Sequence, residues 1–215
     1  SDVDLVFGGS YSDYDGDHFG EVIWASQFAS NASLGNRYYF GNGKKTDFSA
    51  FAKATYTLNS KIDVYGDLQL RNVGYKTSGL TSDLENMRID ESYSFFNPKV
   101  GVSYQLASNS SLYASYARAN REPSRSDFES NPDVKPEQLN DFEMGWRYNK
   151  EGVMLNINSY YMQYNEQLIL TGALDDVGAP VRTNSGDSYR LGLEIEAAFS
   201  LSAAFTIQPA LTLSS

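Results

Sequence analysis

The chain has 215 residues, with 17 Lys and Arg against 27 Asp and Glu, a net charge of −10, one His and no Cys. The acidic balance argues against a nucleic-acid partner, which needs clustered Lys and Arg. The missing Cys excludes a disulfide scaffold, a Cys-ligated zinc site and a thiol nucleophile. A single His leaves little room for a His-based metal cluster or a histidine general base. No apolar run approaches the roughly 20 residues of a membrane helix, and no basic-then-apolar leader opens the chain. The 16 Tyr and 12 Phe are the most informative entries in the composition. Tyr favours strands and places where one end is apolar and the other wet.

Residues 2–14 read as a first strand. In 46–58, Phe48, Ala50, Ala52, Ala54, Tyr56 and Leu58 share one parity, and Ser49, Lys53, Thr55 and Thr57 the other, with Phe51 as the exception. That two-residue period predicts a strand. Asn59 and Ser60 form a turn, and 62–71 alternate again, so the two make a hairpin. The same pattern predicts strands over 96–106, 111–119, 141–148, 153–158, 190–199 and 205–213, with short turns at 107–110, 149–152 and 200–203. Long polar stretches occupy 15–45, 77–92, 120–138 and 167–186 and read as loops. Residues 82–92 have room for one helical turn. Pro98 and Pro209 cannot donate to a ladder and belong near a strand start, a bulge or an edge. The fold expected is all-β: an antiparallel up-and-down meander of about nine long strands, with short turns at one end and long loops at the other.

A soluble sandwich and a membrane barrel share this period. Several strands run about 12–14 residues, longer than usual globular strands and long enough to cross a bilayer. Lys53, Asp63, Asp67, Arg71, Lys99, Glu143, Arg147, Arg190, Glu194 and Glu196 all fall on the polar parity, as a wide wet lumen would allow. Tyr56, Tyr104, Trp146, Tyr148, Phe199 and Phe205 lie near the short turns. Tyr75, Tyr116, Tyr160, Tyr161 and Tyr164 lie toward the long loops. Two aromatic belts are what the two interfaces of a membrane select. The alternative is a soluble all-β binding module, for a carbohydrate or other ligand, with long loops at one end.

Residues 111–148, SLYASYARANREPSRSDFESNPDVKPEQLNDFEMGWRY, resemble the barrel region of TonB-dependent outer-membrane receptors. The matching positions are Tyr113, Tyr116, Arg118, Arg121, Pro123, Pro136, Glu137, Phe142, Glu143 and Gly145. Ala119 and Asn120 replace a usual Gly-Phe, and Phe142 a usual Tyr. FNPKVGVSY (96–104) and SYRLGLEIEAAFS (188–200) also resemble the family's strands. The resemblance implies a 22-stranded transmembrane barrel of which residues 1–215 are an expected internal segment, without plug, signal peptide or terminal aromatic. It implies import of a scarce nutrient (ferric siderophore, haem, vitamin or glycan) across the outer membrane of a Gram-negative bacterium. Partners implied are outer-membrane lipid, the nutrient, and the TonB complex acting through an N-terminal plug. Open strand edges would invite self-association. No cofactor and no enzyme activity are expected; no G-x-S-x-G elbow is present.

Three candidate groups follow. Asp13, Asp15 and Asp17 beside Gly16 offer oxygens to a hard cation such as calcium, the simpler reading being an acidic solvated junction. Arg118, Arg121 and Arg125 form a basic cluster suited to an anionic ligand or lipid phosphate, or to pairing with Glu122, Asp127 and Glu129. Tyr38 and Tyr39 sit in an expected outer loop as candidate ligand aromatics.

Overall fold

The computed structural model describes residues 3–27, 33–174, 178 and 180–215. Strands β1 (Val3–Glu21), β2 (Arg37–Asn59), β3 (Ile62–Leu80), β4 (Asn86–Ala107) and β5 (Ser110–Arg121) pair antiparallel, each with the next. A short helix, α1 (Arg125–Ser130), precedes β6 (Glu137–Lys150) and β7 (Val153–Asn165). A small separate hairpin, β8 (Leu168–Leu174) with β9 (Pro180–Asn184), leads to β10 (Ser188–Ser202), which pairs with β7. β11 (Phe205–Ile207) and β12 (Ala210–Ser214) both pair with β10 and are two pieces of one last strand. The main sheet is therefore a ten-stranded meander, or nine with the broken strand counted once.

Local chemistry explains the short turns. The Asn59 side chain accepts from Lys61 N at 2.9 Å, closing the β2–β3 turn. Glu151 (φ 40°) and Gly152 (φ 80°) both lie in the left-handed region, the geometry that matches the twist of a two-residue hairpin. Pro209 sits in the gap between β11 and β12, where its carbonyl accepts from Ala197 N. Pro98 lies just past the end of the β4–β5 register, which starts at Lys99↔Ala117.

The expected long loops need correction. β1 and β2 run to Glu21 and back from Arg37, so most of 15–45 is strand. Residues 77–92 are strand except for 81–85, and no helical turn forms there. The helix lies instead at 125–130, capped by Ser124 with Asp127 in a reciprocal capping box. The strands continue because polar residues keep the two-residue period. Asp15, Lys44, Lys76 and Asp90 form one cross-strand row, stitched by Lys44–Asp15 (2.8 Å) and Lys76–Asp90 (3.0 Å).

Register sorts the side chains onto two faces. Val3, Tyr56, Val64, Val102, Ala114, Met144, Ser159 and Leu193 follow one another across the strands on an apolar face. The large apolar side chains there stay exposed; Phe7 is 78% and Leu5 63% accessible. Toward the short turns this face carries Tyr104, Trp146 and Tyr148, with Trp146 Nε1 donating to Ser110 Oγ. Toward the other end Tyr116, Phe142, Tyr161 and Tyr189 make a chain of ring contacts at 4.9, 6.4 and 6.0 Å. The second expected belt is thus redrawn. Tyr116 and Tyr161 belong to it, but Tyr75, Tyr160 and Tyr164 fall on the opposite, polar face. Parity within each strand separates them, since neighbours such as Tyr160 and Tyr161 must point apart.

On the polar face, five aromatic rings lie directly across from glycines. The register pairs are Phe51↔Gly8, Tyr39↔Gly20, Tyr65↔Gly101, Tyr113↔Gly145 and Tyr160↔Gly192. Each ring occupies the space a Cβ on the glycine would need. Phe51, the exception to its strand's pattern, is explained this way. Such cross-strand cover of glycine pins register. At Gly145 a Cβ would meet the Tyr113 ring at 2.5 Å and the Ile157 carbonyl oxygen at 2.7 Å. At Gly66 it would meet nothing within 4 Å. Gly145→Ala should therefore cost about 1–3 kcal/mol, while Gly66→Ala should stay within about 0.5 kcal/mol. Denaturant titration of the folded protein checks this, and equal costs at the two sites would refute the packing argument.

Candidate functional site

The polar face is a wall of charges at strand level. A concavity of about 310 Å³ is lined by Asp63, Lys99, Tyr113, Asp141, Glu143 and Arg147, among others. Arg147 lies 4.4 Å from the Tyr113 ring centroid, and Arg190 lies 5.4 Å from that of Tyr164. These cations rest on aromatic faces. Among the described residues neither makes an ion pair within 4.0 Å with Glu143, Glu194 or Glu196. Tyr113 also donates to Asn158 Oδ1 at 2.9 Å.

The tightest polar node lies where β5 ends. Glu122 reaches back across the sheet to β2 and β3. Arg71 donates to both of its carboxylate oxygens at 2.8 Å, and Lys45 donates to Oε1 at 2.8 Å. The other edge of the Arg71 guanidinium grips Asp47. A planar fork is suited to two carboxylates at once. The Glu122 side chain is 10% exposed. Burial pushes its carboxyl up, but donation from Arg71 and then Lys45 outweighs burial and holds it at about 2 against an ordinary 4.5.

Glu122 anchors a folded cap. Immediately after it, α1 turns its buried Phe128 onto Tyr75, rings stacked at 6.2 Å. Phe128, Val134 and Leu168 form a small core, with Met87, Ile89 and Tyr93 packed against it. Leu168 belongs to the β8–β9 hairpin, so hairpin and helix share this core. Asn184 on β9 accepts from Lys135 N and donates to the Lys135 and Glu166 carbonyls. Lys135 pairs with Glu166 at 2.7 Å, and Arg182 lies 3.7 Å from the buried Asp127. Two segments that read as loops are therefore one compact unit over the polar face.

The expected arginine cluster does not converge. Arg118 is on the apolar-face parity and donates to Asn140 Oδ1 at 3.0 Å, beside Tyr116. Arg121 is on the polar face, 3.9 Å from Glu137. Arg125 is on α1, bonded to Glu129 and to Thr77 Oγ1. The expected Arg125–Glu129 pairing forms, whereas Glu122 turns to Arg71 and Lys45 instead. Tyr38 and Tyr39 lie on strand β2 rather than in a loop, in edge-to-face contact at 5.2 Å beside Gly20. Asp13, Asp15 and Asp17 stand in a row on the apolar-face parity of β1, between Tyr11 and Phe19. Lys44 and Asn42 engage Asp15, and Asn42 also donates to Asp17 at 3.0 Å. Among the described residues no group of three His, Cys, Asp or Glu side chains is arranged to hold a metal ion. The polar parity of Arg71 was visible in the sequence; its grip on both Asp47 and Glu122, with Lys45 out of an expected loop beside it, was not.

The clamp has a definite pH dependence. A depressed carboxyl stabilises the folded state fully above its unfolded value of 4.5, and the contribution disappears as pH falls through about 2. Glu122→Gln removes the charge at constant shape and should loosen the cap by about 1–3 kcal/mol at neutral pH. Hydrogen exchange of the amides of 124–131 reads this. Wild-type protein should show the same loosening only on acidification toward pH 2, and a variant indistinguishable from wild type at pH 7 would remove Glu122 as the anchor.

The model of the family described as TonB dependent receptor-like, beta-barrel matches residues 2–214. Among solved structures, the copper transporter OprC is 16% identical with a TM-score of 0.76, over 100% of this chain and 35% of that one. The ferric yersiniabactin uptake receptor FyuA from Yersinia pestis is 17% identical with a TM-score of 0.67, over 100% and 33%. The FrpB iron transporter from Neisseria meningitidis is 22% identical with a TM-score of 0.61, over 81% and 26%. No curated protein matches the chain. At these identities the structural likeness concerns the fold, and the chain spans about a third or less of the length of those structures. With the family model covering nearly every residue and the meander reproducing the same architecture, the chain belongs to the β-barrel family of TonB-dependent receptors.

Proposed function

We propose that this chain forms part of the wall and mouth of an outer-membrane receptor that imports a scarce nutrient with energy relayed by TonB. The observation that carries the reading is the division of one long-stranded sheet into two faces. The apolar face, fringed by aromatics at both ends, meets lipid; the charged face lines the lumen. Tyr56 and Phe48 lie on that apolar face eight residues apart on β2, roughly 27 Å along a strand. At a strand tilt of about 35–45° that is roughly 20 Å of height, most of a bilayer's apolar band. The capped end then faces the outside, where strands longer than the bilayer carry the ligand-facing segments clear of it. The exposed edges of β1 and of β11–β12 take neighbouring strands of the same barrel. A plug from elsewhere in the receptor rests against the charged wall.

In this reading Arg121, Arg125, Tyr38 and Tyr39 are the ligand-contact group, because the register shift after Gly20 brings the Tyr38 ring beside Tyr39 over Gly20 on the polar side of the mouth. Arg118 is on the other parity and meets lipid headgroups. The Asp13, Asp15, Asp17 row is assigned to cross-strand charge pairing, because a cation there would have to displace Lys44. The neighbours are named for copper, ferric yersiniabactin and iron, so metal nutrients head the substrate classes to test, ahead of vitamins and glycans. Such a receptor binds and releases its cargo without chemical conversion.

The test is growth of a host lacking its own uptake receptors, on limiting iron or copper, with the complete receptor that carries this chain. Growth should be restored in cells with TonB and lost in cells without it. Restoration independent of TonB, or a receptor that dissolves in buffer without detergent, would overturn the proposal.

A further inference from the structure

A second cavity, of about 250 Å³, opens between the β3–β4 turn and α1. We propose that it is a binding site for a compact organic cation with an apolar face. Its floor is apolar and prebuilt: Met87, Ile89, Phe128 and Pro132. Phe128 is 6% exposed and held by stacking on Tyr75, and Met87 and Ile89 pack against the same core. The turn that forms one wall is fixed by Thr81 N donating to the Glu85 carbonyl at 2.9 Å and Leu84 N to the Thr81 carbonyl at 3.1 Å. Leu84 takes a left-handed conformation, φ 63°, to make that turn. Two chain segments far apart in sequence thus meet around one concave, largely preformed space, as small-molecule sites do.

The charge around that floor selects the ligand. Asp83, Glu85 and Glu91 line the cavity, and among the described residues none has a cationic partner within 4.0 Å. Glu129 lines it too, with Arg125 bonded to it. Arg88 lines the rim, but its register partner Ser78 places it on the opposite face of the sheet. Three carboxylates gathered at one rim attract positive charge and repel anions. A bare metal ion would leave the floor uncovered. A cation with an apolar or aromatic body would cover Met87, Ile89 and Phe128 and keep its charge at the rim. The inference rests on the receptor reading for its position at the outer mouth, the first surface an incoming solute meets.

Three probes of one ring and three charges test it on the complete purified receptor in detergent, by calorimetric titration: benzyltrimethylammonium, benzyl alcohol and benzenesulfonate. The cation should bind at least about tenfold tighter than the alcohol, and the sulfonate should not bind. The combined variant Glu85→Gln, Glu91→Gln, confined to exposed side chains, should weaken the cation about tenfold or more and leave the alcohol unchanged. Asp187→Asn, away from the cavity, should change nothing. Equal affinity for cation and sulfonate, or a double variant that binds the cation like wild type, would overturn the site. The titration needs no TonB. Cation binding without TonB-dependent growth would overturn the transport reading and keep the site; TonB-dependent growth without cation binding would do the reverse.

Discussion

Register is the constraint on which this structure rests. Side chains on a strand alternate, so a slip of one residue would exchange an apolar face for a charged one along its whole length. No central core corrects such an error: among the described residues the buried apolar side chains gather in the cap (Phe128, Val134, Leu168), while Val73 and Ala197 lie far apart in the sheet. What holds register is local and repeated. In four antiparallel strand pairs, β1–β2, β3–β4, β5–β6 and β7–β10, an aromatic ring on the polar face covers the glycine directly opposite. A shift by one pair would leave the ring against a Cβ and the glycine bare. The tyrosines of the composition therefore do two jobs. On one face they mark the ends of the apolar band, and on the other they lock neighbouring strands.

The cap is organised by a different logic. Its helix has only six residues and could not stand alone. It is held by Ser124 and Asp127 at its start, by Phe128 on Tyr75, and by the Glu122 clamp on Arg71. The clamp ties the exit of β5 to β2 and β3, strands with which β5 has no backbone ladder. Asn120 adds a second stitch across the gap where β4 and β5 part, donating to Asn97 Oδ1 at 2.7 Å. The cap is thereby fixed to the wall at its root and bound at its tip to the β8–β9 hairpin. Both candidate ligand surfaces, the arginine side and the acidic cavity, are positioned by this one unit.

Much was legible in the residue order. The two-residue period gave the apolar-band strands between Phe48 and Leu213, their short turns and the faces of ten charged residues from Lys53 to Glu196, because alternation is a local property of the backbone. The strings around Tyr113–Gly145 carried the family. Polar strand extensions beyond the apolar band were not legible: Asp15 and Asp17 look like loop until Lys44 and Asn42 are placed opposite them. The scattering of Arg118, Arg121 and Arg125 onto three surroundings follows from where β5 ends and the chain turns into α1, which three nearby arginines in a string do not reveal. The Glu122 node joins residues 51 and 77 positions apart, and the cap core joins Tyr75 to Leu168. Period and propensity act over a few residues; which distant side chains meet depends on how many strands intervene, how the register falls and where a connection folds back.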